Sequence, residues 1–253
     1  MVYENLSTTA GFCYFCAYKI MTTILCIESA TPICSIALVQ NGMVISLRET
    51  DVLQSHAALL MEFIQQVLVS AGLDVLAIDA VAVSKGPGSY TGLRIGVSTA
   101  KGICYALDKP LIGIGTLKSM AIGMIKAYQA SETSTLFCPM IDARRMEVYT
   151  ALYDSTASEI VPVSAKIIDE SSFAEILQSH IVVFAGEGSS KCRKLLQDHP
   201  NARFLNQEIV SAINMAKLAN DAFSNELYED VAYFEPYYLK DFIAGKSIVK
   251  GLR

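Results

Sequence analysis

The densest cluster of chemically informative residues is Ser84-Lys85-Gly86-Pro87-Gly88-Ser89-Tyr90-Thr91-Gly92-Leu93-Arg94-Ile95-Gly96. Glycines between a strand and a helix leave backbone N–H groups open, and such groups can cradle a phosphate. Gly86, Gly88, Ser89 and Gly92 are therefore the candidate nucleotide or phosphate loop. The spacing is neither Gly-x-Gly-x-x-Gly nor a Walker A loop, and no lysine follows a glycine at the helix start. A tight turn needing positive φ angles would use the same glycines. Ser89 has no histidine and acid at a motif spacing that would make it a nucleophile. Gly92, Gly96 and Ala100 then recur every fourth residue and so share one helical face. Small residues there admit the backbone of a second helix. Gly92, Gly96 and Ala100, flanked by Ile95, Thr99 and Ile103, form the candidate partner interface. Packing inside the same lobe is the competing reading.

Other reactive side chains are more scattered. Glu28 and Asp142 each end an apolar run, where a carboxylate could face a phosphate or magnesium, or simply bond its own loop. His56 opens a helical stretch but has Leu60, not a second histidine, four residues on. One ligand holds a catalytic metal poorly, so no metal site is expected. Gly186-Glu187-Gly188-Ser189-Ser190 reads as a strand-to-helix turn and cap, and His180 and His199 as surface residues. Cys13 and Cys16 form a Cys-x-x-Cys pair without the other half of a zinc site. Lys191, Arg193, Lys194 and Arg203 form one basic group, and Lys240, Lys246, Lys250 and Arg253 another.

The elements that must position these residues emerge from pattern. Residues 24–27, 34–39 and 43–47 are three strands, the last two joined by the hairpin signal Asn41-Gly42. Leu59, Leu60, Phe63, Ile64, Val67 and Leu68 share a helical face, with Ser55 as cap and Gly72 as stop. Strand 80–83, a helix over 93–106, strand 110–114 and a helix from 116 complete the first half. A three-strand meander followed by helical crossovers is the ribonuclease H-like order of actin-like domains. The second half echoes it. Strands fall at 136–141, 148–153 and 160–163, a helix at 170–178, a strand at 181–184, and helices at 189–197 and 211–227. The expected fold is α/β: two actin-like lobes with mixed sheets and helices on both faces. Residues 21–118 are assigned to the first lobe and 119–253 to a smaller second one, whose tail could return to the first.

The chain of 253 residues is 52% hydrophobic and 18% charged, with net charge −5. Such composition fills a core, and the acidic balance is unlike that of a chain gripping nucleic acid alone. Seven scattered cysteines suit reduced thiols in a cytoplasmic protein. No uninterrupted apolar run is long enough for a bilayer, so no membrane role is expected. Residues 1–20 differ in composition from the rest of the chain, and Met21 precedes the first strand. Met21 is the expected start, with 1–20 an extension.

The glycine segment 86–96 resembles the most recognisable stretch of the TsaB (YeaZ) family. Thr116-Leu117, Asp142-Ala143-Arg144-Arg145-Met146-Glu147-Val148-Tyr149 and Glu235-Pro236-Tyr237-Tyr238-Leu239-Lys240 resemble family segments in the same order. The resemblance runs from about Met21 to about Lys240. It implies a non-catalytic accessory subunit of the complex that makes N6-threonylcarbamoyladenosine at position 37 of tRNA. The implied partners are a TsaD-type catalytic subunit and a TsaE-type ATPase, with tRNA met mainly through the complex and a homodimer formed when alone. No cofactor is required, and ATP or ADP would lie at a partner interface. TsaD-type relatives hold metal through His-x-x-x-His, which Leu60 interrupts here. A stand-alone actin-like ATPase or glycoprotease-like metal-dependent hydrolase is the alternative.

Overall fold

The computed structural model describes residues 21–50, 56–129, 134–207 and 209–240. Residues 1–20 with Cys13 and Cys16, the cap residue Ser55, the tail cations Lys246, Lys250 and Arg253, and the side chain of His56 lie outside that description. Two five-stranded sheets carry the fold. In the first, β1 (Thr23–Glu28), β2 (Cys34–Gln40) and β3 (Met43–Thr50) form the antiparallel meander. α1 (His56–Ala71) leads to β4 (Ala80–Gly86), which is parallel to β1. α2 (Tyr90–Leu107) leads to β5 (Leu111–Gly115), parallel to β4. The spatial order is β3-β2-β1-β4-β5.

The second sheet repeats the plan. After α3 (Thr116–Tyr128) it runs through β6 (Thr135–Asp142), β7 (Glu147–Tyr153) and β8 (Glu159–Ile167), then α4 (Ala174–Ser179), β9 (Ile181–Ala185), α5 (Ser189–Leu196) and β10 (Ala202–Phe204). Its order, β10-β9-β6-β7-β8, places each strand as its counterpart in the first sheet. The duplication is thus one of topology, in the ribonuclease H-like order that defines actin-like lobes.

Local sequence explains the pieces. Asn41 and Gly42 both have positive φ, +49° and +80°, and close β2 onto β3 with Gln40 opposite Met43. Such a turn matches strand twist. β1 is buried on both faces because alternate side chains enter different cores. Leu25 and Ile27 meet α1 and α2, while Ile24 and Cys26 meet the opposite layer. α4 starts later than the 170–178 pattern suggests. The Asp169 carboxylate takes hydrogen bonds from Ser171 and Ser172, turning those residues out of a helix.

The lobes exchange a layer. α3 follows β5, yet Leu117, Met120, Ala121 and Met124 pack with Phe137, Ile141, Tyr153 and Val183 of the second lobe. After β10, a 3-10 turn (Ala212–Met215) and α6 (Ala216–Ser224) reverse this. Ala212, Met215, Ala216 and Ala219 cover Ile24, Val39, Ala82 and Ile112 of the first sheet. The chain then stays on the first lobe: Glu229 N–H donates to Leu111 O at 2.8 Å, and Phe234 enters the α1–α2 core. No helix among the described residues is long and apolar enough to cross a membrane.

Candidate functional site

The glycine segment lies where β1, β4 and α2 meet. Ser29, one residue past β1, donates its N–H to Ser84 Oγ at 3.2 Å and its hydroxyl to Gly92 O at 3.0 Å. Ser89 N–H donates to Ala30 O at 2.6 Å. The Ser89 hydroxyl caps α2 by accepting from Gly92 N–H at 3.2 Å. A methyl group at Gly88 would overlap Ala30 O, one at Gly92 would overlap Ser29 O, and one at Gly96 would overlap Ser29 Oγ.

These contacts change two expectations. The stripe of small residues is not a surface: Gly92, Gly96 and Ala100 are buried against their own lobe, and Ile95 and Ile103 pack half-buried on its core. α2 sits so close to the β1–β2 turn that only hydrogen fits at positions 92 and 96. Its outward face carries Thr91, Arg94, Ser98, Gly102 and Tyr105 instead, with Tyr105 86% exposed. The proposed phosphate loop is likewise filled by the chain itself. Gly86, with φ +106°, lies against Tyr237 O, and Tyr237 N–H donates to Lys85 O at 2.6 Å. Only Gly86 in this loop needs the positive φ; Gly88 and Gly92 are needed for close approach.

The segment around Tyr237 is the element that sequence reasoning placed least well. Lys101 Nζ donates to Ala232 O and Phe234 O, both at 3.0 Å. Lys85 pairs with Glu229 at 3.4 Å, and the rings of Tyr90 and Tyr238 lie 5.0 Å apart. Lys240 pairs with Glu147 at the start of β7 in the second lobe. The segment therefore straps the glycine loop and reaches across to the other lobe.

Between the lobes lies a cavity of about 170 Å³, lined by Thr31, Pro32, Ile33, Met120, Ile141, Glu187 and Val210. That is little more than half of the roughly 300 Å³ at which small-molecule pockets begin, and most of these side chains are apolar. Of the two strand-end carboxylates, Glu28 is 1% exposed and accepts from Ala30 N–H at 2.7 Å. Burial pushes its pKa up to about 7, against the pull of Ala30 N–H, the Ser84 hydroxyl and Ser29 N–H. Asp142 is exposed and takes Lys191 Nζ and Arg144 N–H, each at 2.6 Å. Its slight burial opposes ionisation, but Lys191 and Arg144 outweigh that and hold the carboxyl below the ordinary range. Neither acid faces an open site: Glu28 is sealed in, and Asp142 is engaged by its own loop and α5. The Gly186–Gly188 turn is also a packing feature, since a methyl at Gly186 would overlap Met140 O. Leu60 is 1% exposed in the first-lobe core. No cluster of three potential metal-ligating side chains occurs among the described residues. Lys191 is committed to Asp142, Arg193 to Asn206 and the Phe204 ring, and Arg203 to the Pro200 and Ala202 carbonyls, so these three cations are tied locally.

Two lobes of this topology, sharing a cleft and exchanging a layer, define an actin-like protein. Known proteins narrow the class. The tRNA N6-adenosine threonylcarbamoyltransferase (TsaD) family matches residues 50–247. The tRNA threonylcarbamoyladenosine biosynthesis protein TsaB of Escherichia coli is 38% identical over 130 residues, 51% of this chain and 54% of that protein. The Bacillus subtilis TsaB is 29% identical over 181 residues, 70% of this chain and 76% of that protein. YeaZ from Pseudomonas aeruginosa superposes with a TM-score of 0.71 at 26% identity, covering 87% of this chain and all of that one. The chain belongs to the TsaD family, as a member of its TsaB/YeaZ branch. The match spans about half the length of the E. coli relative.

Proposed function

We propose that this chain is an accessory subunit in the synthesis of N6-threonylcarbamoyladenosine in tRNA, binding and supporting a TsaD-type catalytic subunit. The names of its relatives supply the pathway. The observation that carries the accessory role is the state of the interlobe site. Its glycines are taken up by the β1–β2 turn and the 229–240 strap, and apolar side chains line its small cleft. The resemblance to TsaD-type proteins implies a second metal-binding histidine at the position of Leu60, which here is a core residue. A stand-alone ATPase or hydrolase would need those groups to face substrate.

The docking surface in this reading is the outward side of α1 and α2, which lie together on one face of the first sheet. Met61 and Val69 on α1 are 56% and 72% exposed, Tyr105 on α2 is 86% exposed, and Gly102 has open space where a side chain would project. Such a surface admits close approach of partner helices, and in the absence of the catalytic subunit it would pair with a second copy. A TsaE-type ATPase would join the assembly, tRNA would be held mainly by the partners, and ATP or ADP would bind at a partner interface. The setting is the cytoplasm.

Reconstitution tests the reading. The purified chain alone is expected to give no steady threonylcarbamoyl transfer, and to restore it when added to the other subunits. Gly102→Arg is expected to stay folded by circular dichroism yet lose binding to the TsaD-type subunit. Turnover by the chain alone, or unchanged binding by the variant, would refute the corresponding half of the proposal.

A further inference from the structure

A second cavity lies on the far side of the second lobe, between β7–β8 and the start of α4. Its volume is about 270 Å³. Leu152, Val161, Phe173 and Ile176 line it with apolar surface, and Lys166 and Glu175 bring opposite charges to it. The Lys166 ammonium sits 4.3 Å from the centroid of the Phe173 ring. Among the described residues it has no carboxylate within ion-pair distance, and Glu175 has no cationic partner. Both charges line the cavity without pairing with each other, so a ligand carrying both signs can meet them.

Phe173 adds an independent sign. It is a bulky residue at φ +65°, a left-handed conformation that such side chains avoid. Strain of this kind persists where surrounding contacts demand it and concentrates at ligand sites. Here it holds the ring, which is 8% exposed, edge-on to Phe184 at 5.3 Å and beneath Lys166.

We infer that this cavity binds a small zwitterion with an apolar tail, that is, a free α-amino acid of apolar side chain. Its carboxylate would meet Lys166, its ammonium Glu175, and its tail the surface of Leu152, Val161, Phe173 and Ile176. A sphere of the cavity's volume is about 8 Å across. In an α-amino acid the ammonium and carboxylate leave the same carbon, so both charge-assisted contacts of about 2.8 Å are made at one end and the tail extends over the apolar surface. A dicarboxylate would be repelled by Glu175 and a diamine by Lys166, while a neutral apolar molecule would meet neither charge.

Calorimetric titration of the full chain tests this, with valine, leucine and phenylalanine as probes. The tightest of them is then compared with its deaminated acid and its decarboxylated amine. At least one amino acid should bind with Kd near or below about 1 mM, and each single-charge analogue should be weaker by about tenfold or more. Lys166→Met, which keeps the apolar stem, should abolish that binding. Glu175→Gln should weaken the amino acid by about tenfold while leaving the deaminated acid unchanged. Thermal unfolding of both variants confirms that they fold, since both positions are at least partly exposed. No binding of any probe, analogues binding as well as the amino acid, or affinity unchanged in folded Lys166→Met would overturn the inference.

Discussion

Glu28→Gln should make the protein more stable at pH 8 than at pH 4, relative to the wild-type chain. Among the described residues, Glu28 is the one carboxylate sealed inside the first lobe. Burial raises its pKa from an ordinary 4.5 to about 7. The folded state thus keeps a proton that the unfolded state gives up between those two values. Wild-type stability from this group is intact below pH 4.5, falls as pH rises to about 7, and is flat above that. A shift of roughly 2.5 units at 1.36 kcal/mol per unit is on the order of 3 kcal/mol. Glutamine keeps the contact with Ala30 N–H through its amide oxygen but brings two N–H donors where the acid had one O–H. One unsatisfied donor costs about 1–3 kcal/mol at either pH. The net gain at pH 8 should then be about 1 kcal/mol, with a loss of about 2 kcal/mol at pH 4. The decisive quantity is the difference between the two, because the packing cost cancels in it. So do Asp142, Asp154 and Asp169, whose lowered pKa values stabilise both chains above the ordinary carboxylate range and cease to as pH falls through their folded values. Urea unfolding at pH 4 and pH 8 measures it. A variant effect equal at the two pH values would show that Glu28 is ionised and compensated in the folded state, refuting the argument.

Gly96→Ala should lower stability by about 1–3 kcal/mol in urea unfolding, because the added methyl overlaps Ser29 Oγ. Gly102→Ala on the same helix should raise it by about 0.5–1 kcal/mol, since nothing lies near the new methyl. Phe234→Ala should cost about 3–5 kcal/mol, as for a buried aromatic ring in a core. Lys240→Ala, removing a partly exposed ion pair to the second lobe, should cost less than about 1 kcal/mol in the same assay.

Strand order was legible because buried strands are continuous apolar runs and the turns between them carry specific residues, Asn41-Gly42 above all. Helix α2 was legible from the glycine-rich loop that opens it, and the structure buries Leu93, Val97, Ala100 and Cys104 along its inner face. Periodicity tells that a face is small or apolar; it does not tell what covers it. Gly92 and Gly96 signalled close approach, but the approaching group is Ser29, more than sixty residues earlier in the chain. The same blindness hid the layer exchange. α3 and α6 have apolar faces that either sheet could accept, and only the assembled core pairs Met120 with Phe137 and Met215 with the first sheet. The strap was harder still, because much of its anchoring is through backbone atoms: Glu229 N–H, the Ala232 and Phe234 carbonyls, and Tyr237 N–H. Backbone partners leave little trace in residue type.

The layer exchange bears on what the interlobe cleft can do. An actin-like cleft that opens on a hinge needs lobes whose cores are separate. Here Ile33, from the β1–β2 turn of the first lobe, packs in one cluster with Leu117, Met120, Ile141 and Val210. Ser35 and Ser211 share the Glu49 carboxylate, and Ala212 N–H donates to Ser35 Oγ at 2.9 Å. Those bonds hold the returning chain to the first lobe, and opening the cleft would expose the apolar cluster beside them at about 25 cal/mol per Å². The cost falls on side chains that line the cleft, so packing between the lobes itself favours the closed arrangement.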